Sequence, residues 1–208
     1  MEIKVCGMRE RDNCYQLVQE VNPDWMGLIF YPKSPRLVPA ESVDWLAELP
    51  IKKVGVFVGE AQTEICRKTT LFGLSAIQLH GGESVEVVQQ LKKDTELEIW
   101  KVFGVGENLD WKLMEEFVPH VDRFLFDTAT ASKGGSGKTF DWKLLKDYPF
   151  EKGFFLSGGL RLEHAAEILE LGKDIPQLLG VDVNSGFEID PGLKHIPDLK
   201  EFKLKLNR

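Results

Sequence analysis

A carboxylate and a run of glycines stand close together in residues 123–142, RFLFDTATASKGGSGKTFDW. The apolar residues Phe124, Leu125 and Phe126 have strand composition and end on Asp127. Small and polar residues follow, then the turn Gly134-Gly135-Ser136-Gly137-Lys138 and a short amphipathic stretch opening at Phe140. Strand, acid, glycine turn and helix is the order in which an α/β protein places a catalytic group beside a bound anion. The segment from Ser132, SKGGSGKT, comes close to a nucleotide-binding P-loop, but Ser132 stands where that motif needs its first glycine. A loop covering a ligand is therefore expected of Lys138 and the glycines before it, rather than a nucleotide cradle.

Other residues could join that chemistry. Cys6 ends an early apolar run; as a thiolate it could act as a base, and otherwise it is a small buried hydrophobe. Lys4 lies two residues earlier on the same strand face, about 7 Å away. There it could lower the thiol pKa or pair with an interior carboxylate. Arg36, in Ser34-Pro35-Arg36, could clamp a substrate carboxylate through two parallel N–H bonds or be an ordinary solvated arginine. His80, in Gln78-Leu79-His80-Gly81-Gly82, could line a pocket wall or carry a proton. Ser157-Gly158-Gly159 and Asn184-Ser185-Gly186 are small-residue turns whose backbone N–H groups, notably those of Gly158, Gly159, Ser185 and Gly186, could hold a phosphate.

The elements that must position these groups alternate along the chain. Strands are predicted at 3–6, 25–30, 53–58, 75–80, 98–103, 124–126, 153–156 and 178–183. Helices are predicted near 9–21, 40–49, 62–72, 84–92, 110–117, 140–147 and 162–171, with a last one opened by Pro197. Eight strand–helix units predict a parallel sheet closed into a single-domain (β/α)8 TIM barrel over residues 1–208, with an open doubly wound sheet as the rival. In a barrel the active site lies at the C-terminal ends of the strands. Cys6 and Asp127 then face each other as a possible base and acid. The two small-residue turns fall after strands seven and eight, where barrels commonly hold phosphate.

Composition narrows the function classes. The chain has 208 residues, 43% hydrophobic, 28% charged, with a net charge of −7, which argues against nucleic-acid and anionic-membrane binding. No apolar run approaches the ~20 residues of a membrane span, and the opening MEIKVCGMRE lacks a signal-peptide core. A cytoplasmic protein is expected. Cys6, Cys14 and Cys66 are odd in number and have no metal-ligand spacing, so no disulfide framework and no metal site is expected.

In order and spacing, these motifs resemble phosphoribosylanthranilate isomerase of tryptophan biosynthesis. The likeness runs nearly end to end. It takes in Lys4-Val5-Cys6-Gly7-Met8-Arg9, 27–30 with Ser34-Pro35-Arg36, Val54-Gly55-Val56-Phe57 and Gln78-Leu79-His80-Gly81. It continues through Phe126-Asp127, 134–142, Ser157-Gly158-Gly159-Leu160, 180–188 and Pro191-Gly192-Leu193-Lys194. Departures are Ser136 where the family often has threonine, Ser157 for alanine, Asn184 for serine and Phe187 for valine. The resemblance implies a cofactor-free Amadori rearrangement of N-(5-phosphoribosyl)anthranilate to 1-(2-carboxyphenylamino)-1-deoxyribulose 5-phosphate by a monomer or homodimer. It implies Asp127 as general acid on the ring oxygen and Cys6 as general base on the sugar C2 proton. It also implies Arg36 on the anthranilate carboxylate, and Asp182 on a sugar hydroxyl. A P-loop nucleotide-binding protein, suggested by Gly137-Lys138-Thr139 and the acid-ended strand 178–182, is the main alternative. A non-catalytic phosphate-binding barrel or another sugar-phosphate barrel enzyme is the other.

Overall fold

The computed structural model describes residues 1–106, 109–128 and 139–207. Gly134, Gly135, Ser136, Gly137 and Lys138, on which the expectation of a covering loop rests, lie outside the described residues. Among the described residues eight strands pair in parallel and in chain order. They are β1 (Glu2–Cys6), β2 (Trp25–Ile29), β3 (Lys52–Phe57), β4 (Ala76–Leu79), β5 (Glu98–Val105), β6 (Arg123–Thr128), β7 (Phe154–Leu156) and β8 (Leu178–Val183). β8 pairs with β1, Lys4 opposite Asp182, and closes the barrel. The strands are buried on both faces, as a parallel sheet inside a ring of helices requires.

Helices α1 (Arg11–Gln16), α2 (Val43–Glu48), α3 (Gln62–Leu71), α4 (Val85–Asp94), α5 (Trp111–Glu115), α6 (Ala165–Asp174) and α7 (Ile196–Leu206) cover the barrel. α7 shows why: Ile196, Leu199, Phe202 and Leu206 recur at helical spacing and are all buried. No helix among the described residues is long and apolar enough to cross a membrane. Three sequence expectations change. The helix expected near 9–21 turns into a π-helical segment at Leu17–Val21 and stops at left-handed Asn22 before Pro23. The helix expected at 140–147 is a 3-10 segment, Trp142–Asp147, capped by Asp141 accepting the Lys143 N–H at 3.0 Å. Its space is too short for an α-helix, since Pro149 follows two residues later. An antiparallel hairpin, β9 (Glu188–Asp190) and β10 (Leu193–Lys194), was absent from the sequence reading.

Inside the barrel, side chains stack in layers from floor to mouth. Trp25, Trp100 and Phe155 form the apolar floor with Val54, Ala76, Val102 and Leu125. The Arg123 guanidinium lies over Trp25, Trp100 and Phe155, 5.1–5.4 Å from each ring centre, and bonds Glu2 at 2.8 Å and Glu98 at 3.0 Å. This end is plugged, which leaves the opposite end for a ligand. Replacing Arg123 by leucine should lower stability by about 2–3 kcal/mol, from lost cation–ring contact and charged hydrogen bonds. Urea unfolding measures that loss, and ligand affinity at the far end should stay unchanged.

Candidate active site

Strand geometry alone gathers the candidate residues. Side chains alternate across a strand, so Glu2, Lys4 and Cys6 climb one inner column of β1, and Arg123, Leu125 and Asp127 climb another on β6. Cys6 and Asp127 thus top their columns, and both line one pocket at the C-terminal mouth. The same pocket takes in Arg36, Gln78, His80, Asp182, Gly158, Gly159, Ser185 and Gly186. Cys6, Asp127, Arg36, His80, Asp182 and the four backbone candidates of the two small-residue turns therefore meet in one place. Ile29, Tyr31, Val56, Val58 and Leu160 give the pocket an apolar side.

Lys4 and Asp182 form a buried ion pair at 2.7 Å beneath Cys6, with side chains 0% and 6% exposed. Burial opposes the charge on Lys4, but Asp182 and Cys6 outweigh it and hold its pKa above the ordinary lysine value. Of the two sequence readings of Lys4, the ion pair is the one the geometry shows. The Lys4 charge also pulls the Cys6 thiol downward. Burial is the larger effect on Cys6, with Asp182 adding to it, so the thiol sits above its ordinary pKa despite Lys4 and Lys194. Burial thus favours the thiol form of the free residue. Asp182 Oδ1 is buried and has no hydrogen-bond partner among the described residues.

Asp127 Oδ1 accepts its neighbour's Thr128 N–H at 2.9 Å, and Oδ2 lies 3.4 Å from His80 Nε2. On its other side His80 Nδ1 lies 3.4 Å from Gln78 Nε2. His80 thus lines the pocket wall and also touches the carboxylate expected to act as acid. Gln78 stands two residues before it on the inner face of β4, and only that alternation could have marked it in the sequence.

The turns after β7 and β8 press together into one cradle. Gly158 has φ +90°, and a Cβ there would fall 2.2 Å from Thr128 Oγ1 and 2.9 Å from Asp127 Oδ1. At Gly186 a Cβ would fall 2.0 Å from the Leu160 carbonyl oxygen. Only glycine lets these backbones approach each other and the end of β6. Phe187, the bulkiest departure from the family pattern, points away from the pocket. It is 1% exposed, and its ring packs 4.8 Å from that of Phe202 on α7.

Arg36 is arranged differently from a free clamp. Its Nε and Nη2 bond Glu188 at 2.6–3.0 Å, so one edge of the guanidinium is already occupied. Glu188 also accepts from Lys194 Nζ at 2.6 Å and from the Gly192 N–H at 3.0 Å. Burial opposes ionisation of Glu188, yet Arg36 and Lys194 prevail and hold its carboxyl below the usual range. Glu188 and Lys194 lie in stretches that carry the family resemblance but received no role there, because the β9–β10 hairpin that brings them to Arg36 is too short for a periodic signal.

A closed (β/α)8 barrel with a pocket at the C-terminal ends of its strands has the architecture of the barrel enzymes. Comparison with known proteins is more specific. The profile of the N-(5'phosphoribosyl)anthranilate (PRA) isomerase family matches residues 3–204, and the chain belongs to that family. It is 43% identical over 206 residues to the N-(5'-phosphoribosyl)anthranilate isomerase of Parabacteroides distasonis, covering 97% of this chain and 91% of that relative. The crystal structure of phosphoribosyl anthranilate isomerase from Thermotoga maritima superposes with a TM-score of 0.83 at 33% identity, over 100% of this chain and 98% of the other. Another crystal structure, of a phosphoribosyl anthranilate isomerase in complex with reduced 1-(o-carboxyphenylamino)-1-deoxyribulose 5-phosphate, matches with a TM-score of 0.80 at 30% identity. It too covers 100% of this chain and 98% of the other. The nucleotide-binding alternative fails on the fold, since the described residues form a closed parallel barrel and Trp142–Asp147 is a short 3-10 segment.

The buried pair beneath the thiol can be tested by stability. Lys4→Met leaves the Asp182 carboxylate buried without its partner and should cost about 3–5 kcal/mol. Adding Asp182→Asn should recover part of that loss. Chemical denaturation of the two variants beside the parent checks both steps.

Proposed function

We propose that this chain catalyses the Amadori rearrangement of N-(5-phosphoribosyl)anthranilate to 1-(2-carboxyphenylamino)-1-deoxyribulose 5-phosphate, as a single barrel domain. The observation that carries the reading is the facing of Cys6 and Asp127 across one pocket that also contains Arg36 and the glycine cradle. Asp127 gives a proton to the ribose ring oxygen as the C1–oxygen bond breaks, and the anilinic nitrogen stabilises the resulting Schiff base. Cys6, as thiolate, removes the proton from C2. The enolamine so formed tautomerises to the ketone. Arg36 faces the carboxylate and the apolar side of the pocket accepts the aromatic ring. The phosphate sits on the backbone of Gly158, Gly159, Ser185 and Gly186. The unpartnered Asp182 Oδ1 supports a contact with a sugar hydroxyl. His80 touches Asp127 and lines the substrate's path.

Cys6 and Asp127 then share one proton in the active form, with the acid loaded and the base empty. The population of that singly protonated pair is bell-shaped in pH, and its limbs belong to the pair. Because burial raises the Cys6 pKa, the last proton leaves above the ordinary thiol value. Activity should therefore persist past that value and fall only at higher pH. A cytoplasmic setting suits a mechanism that needs a reduced thiol, and all three cysteines are free.

Cys6→Ser and Asp127→Asn should each lower kcat by about 10²–10⁴-fold or more, in proteins that stay folded and still bind product. Near-normal turnover by either folded variant would refute its assigned role. Arg36→Ala should weaken binding of the carboxylated product analogue about 10- to 150-fold, as read by calorimetry.

A further inference from the structure

Glu188 on β9 and Lys194 on β10 take no part in proton transfer, yet they are among the best-buried ionic groups at the mouth. Their side chains are 5% and 0% exposed, and Arg36 beside them is 12% exposed. Lys194 is anchored from several directions. Its N–H and carbonyl bond the Asn13 side chain at 2.8 and 3.0 Å, and its Nζ reaches Asn184 Oδ1 at 2.7 Å as well as Glu188. Burial pulls the Lys194 pKa below the ordinary lysine value, with Glu188 opposing the fall. Paired at 2.6 Å, the Lys194 ammonium and the Arg36 guanidinium share the Glu188 carboxylate in a poorly solvated place. Neighbouring charges do not correct the imbalance. Lys4 is paired with Asp182 and Arg9 with Glu10 at 3.3 Å, and Cys6 adds no charge while it is protonated.

A buried cluster with one positive charge in excess calls for an anion. Alone with Glu188, Arg36 would be well oriented but electrically cancelled. Lys194 bonds the same carboxylate and removes that cancellation, while Nη1 of Arg36 takes no part in the bonds to Glu188.

We propose that Lys194 is a positioning residue for substrate selection: by neutralising Glu188 it leaves the charge of Arg36 available, so that the site prefers an aromatic amine bearing a carboxylate over one without it. Glu188 sets the orientation of Arg36, and Lys194 sets its effective charge. The inference rests on the assignment of Arg36 to the substrate carboxylate made above.

The measurement is a ratio of dissociation constants. One probe is reduced 1-(o-carboxyphenylamino)-1-deoxyribulose 5-phosphate and the other is its phenylamino counterpart lacking the carboxylate. Lys194→Met should weaken the carboxylated probe roughly tenfold or more, the scale of one partly buried charge interaction, and leave the other nearly unchanged. Lys194→Met combined with Glu188→Gln removes both charges, frees Arg36 again and should restore most of the preference. A purely structural lysine would weaken both probes alike, and the double variant would not recover selectivity; either result overturns the proposal. The double variant is measured even if the single one is insoluble, and lost preference in it is decisive against the idea. If Arg36→Ala abolishes the preference while Lys194→Met preserves it, only the role of Lys194 falls. If Arg36→Ala also preserves it, the carboxylate assignment falls as well.

Discussion

The ion pair between Lys4 and Asp182 is the contact on which the upper half of the barrel depends. It crosses the seam where the last strand closes on the first, at residues directly paired in the sheet. Below it the interior is aromatic and aliphatic. Above it lie Cys6, Asp127 and the pocket. A buried pair of this kind contributes little net stability compared with apolar packing, but breaking it is costly. Its value here is positional, because it fixes a full positive charge beneath a thiol that burial would otherwise keep protonated still more firmly.

The same alternation that builds this pair made much of the fold readable in advance. Strand ends were predicted within a few residues because most strands are short, largely apolar runs. Cys6, Asp127 and the two glycine turns could be placed together once eight units implied a closed barrel, and the family resemblance added Asp182. What stayed hidden depends on three-dimensional partners. Arg36 could be identified as a cation near the mouth, but nothing local in the sequence says that Glu188, 152 residues later, holds one of its edges. The contact of His80 with Asp127 joins two strands that are not neighbours, so no pairing rule reveals it. The shortening of the sixth helix follows from a cap at Asp141 and a proline at 149, both visible, whose combined effect emerges only when the segment must fit the barrel.

Selectivity for the two ends of the substrate follows different physics on the proposed reading. Among the described residues lining the pocket, Arg36 is the single permanently cationic side chain. The phosphate would therefore be held by neutral backbone dipoles, made close enough by Gly158 and Gly186. That division has a consequence for the acid and base. A lysine or arginine on the Gly158 side of the cradle would stand next to Asp127, since a Cβ at Gly158 already meets that carboxylate. A cation there would favour the ionised form of the acid and oppose proton delivery. Dipolar binding of the phosphate avoids that conflict. The carboxylate end has no such restriction, and there a full charge, oriented by Glu188 and released by Lys194, can be used. A protein with a net charge of −7 can in this way accept a substrate anionic at both ends without flooding its acid–base pair with positive charge.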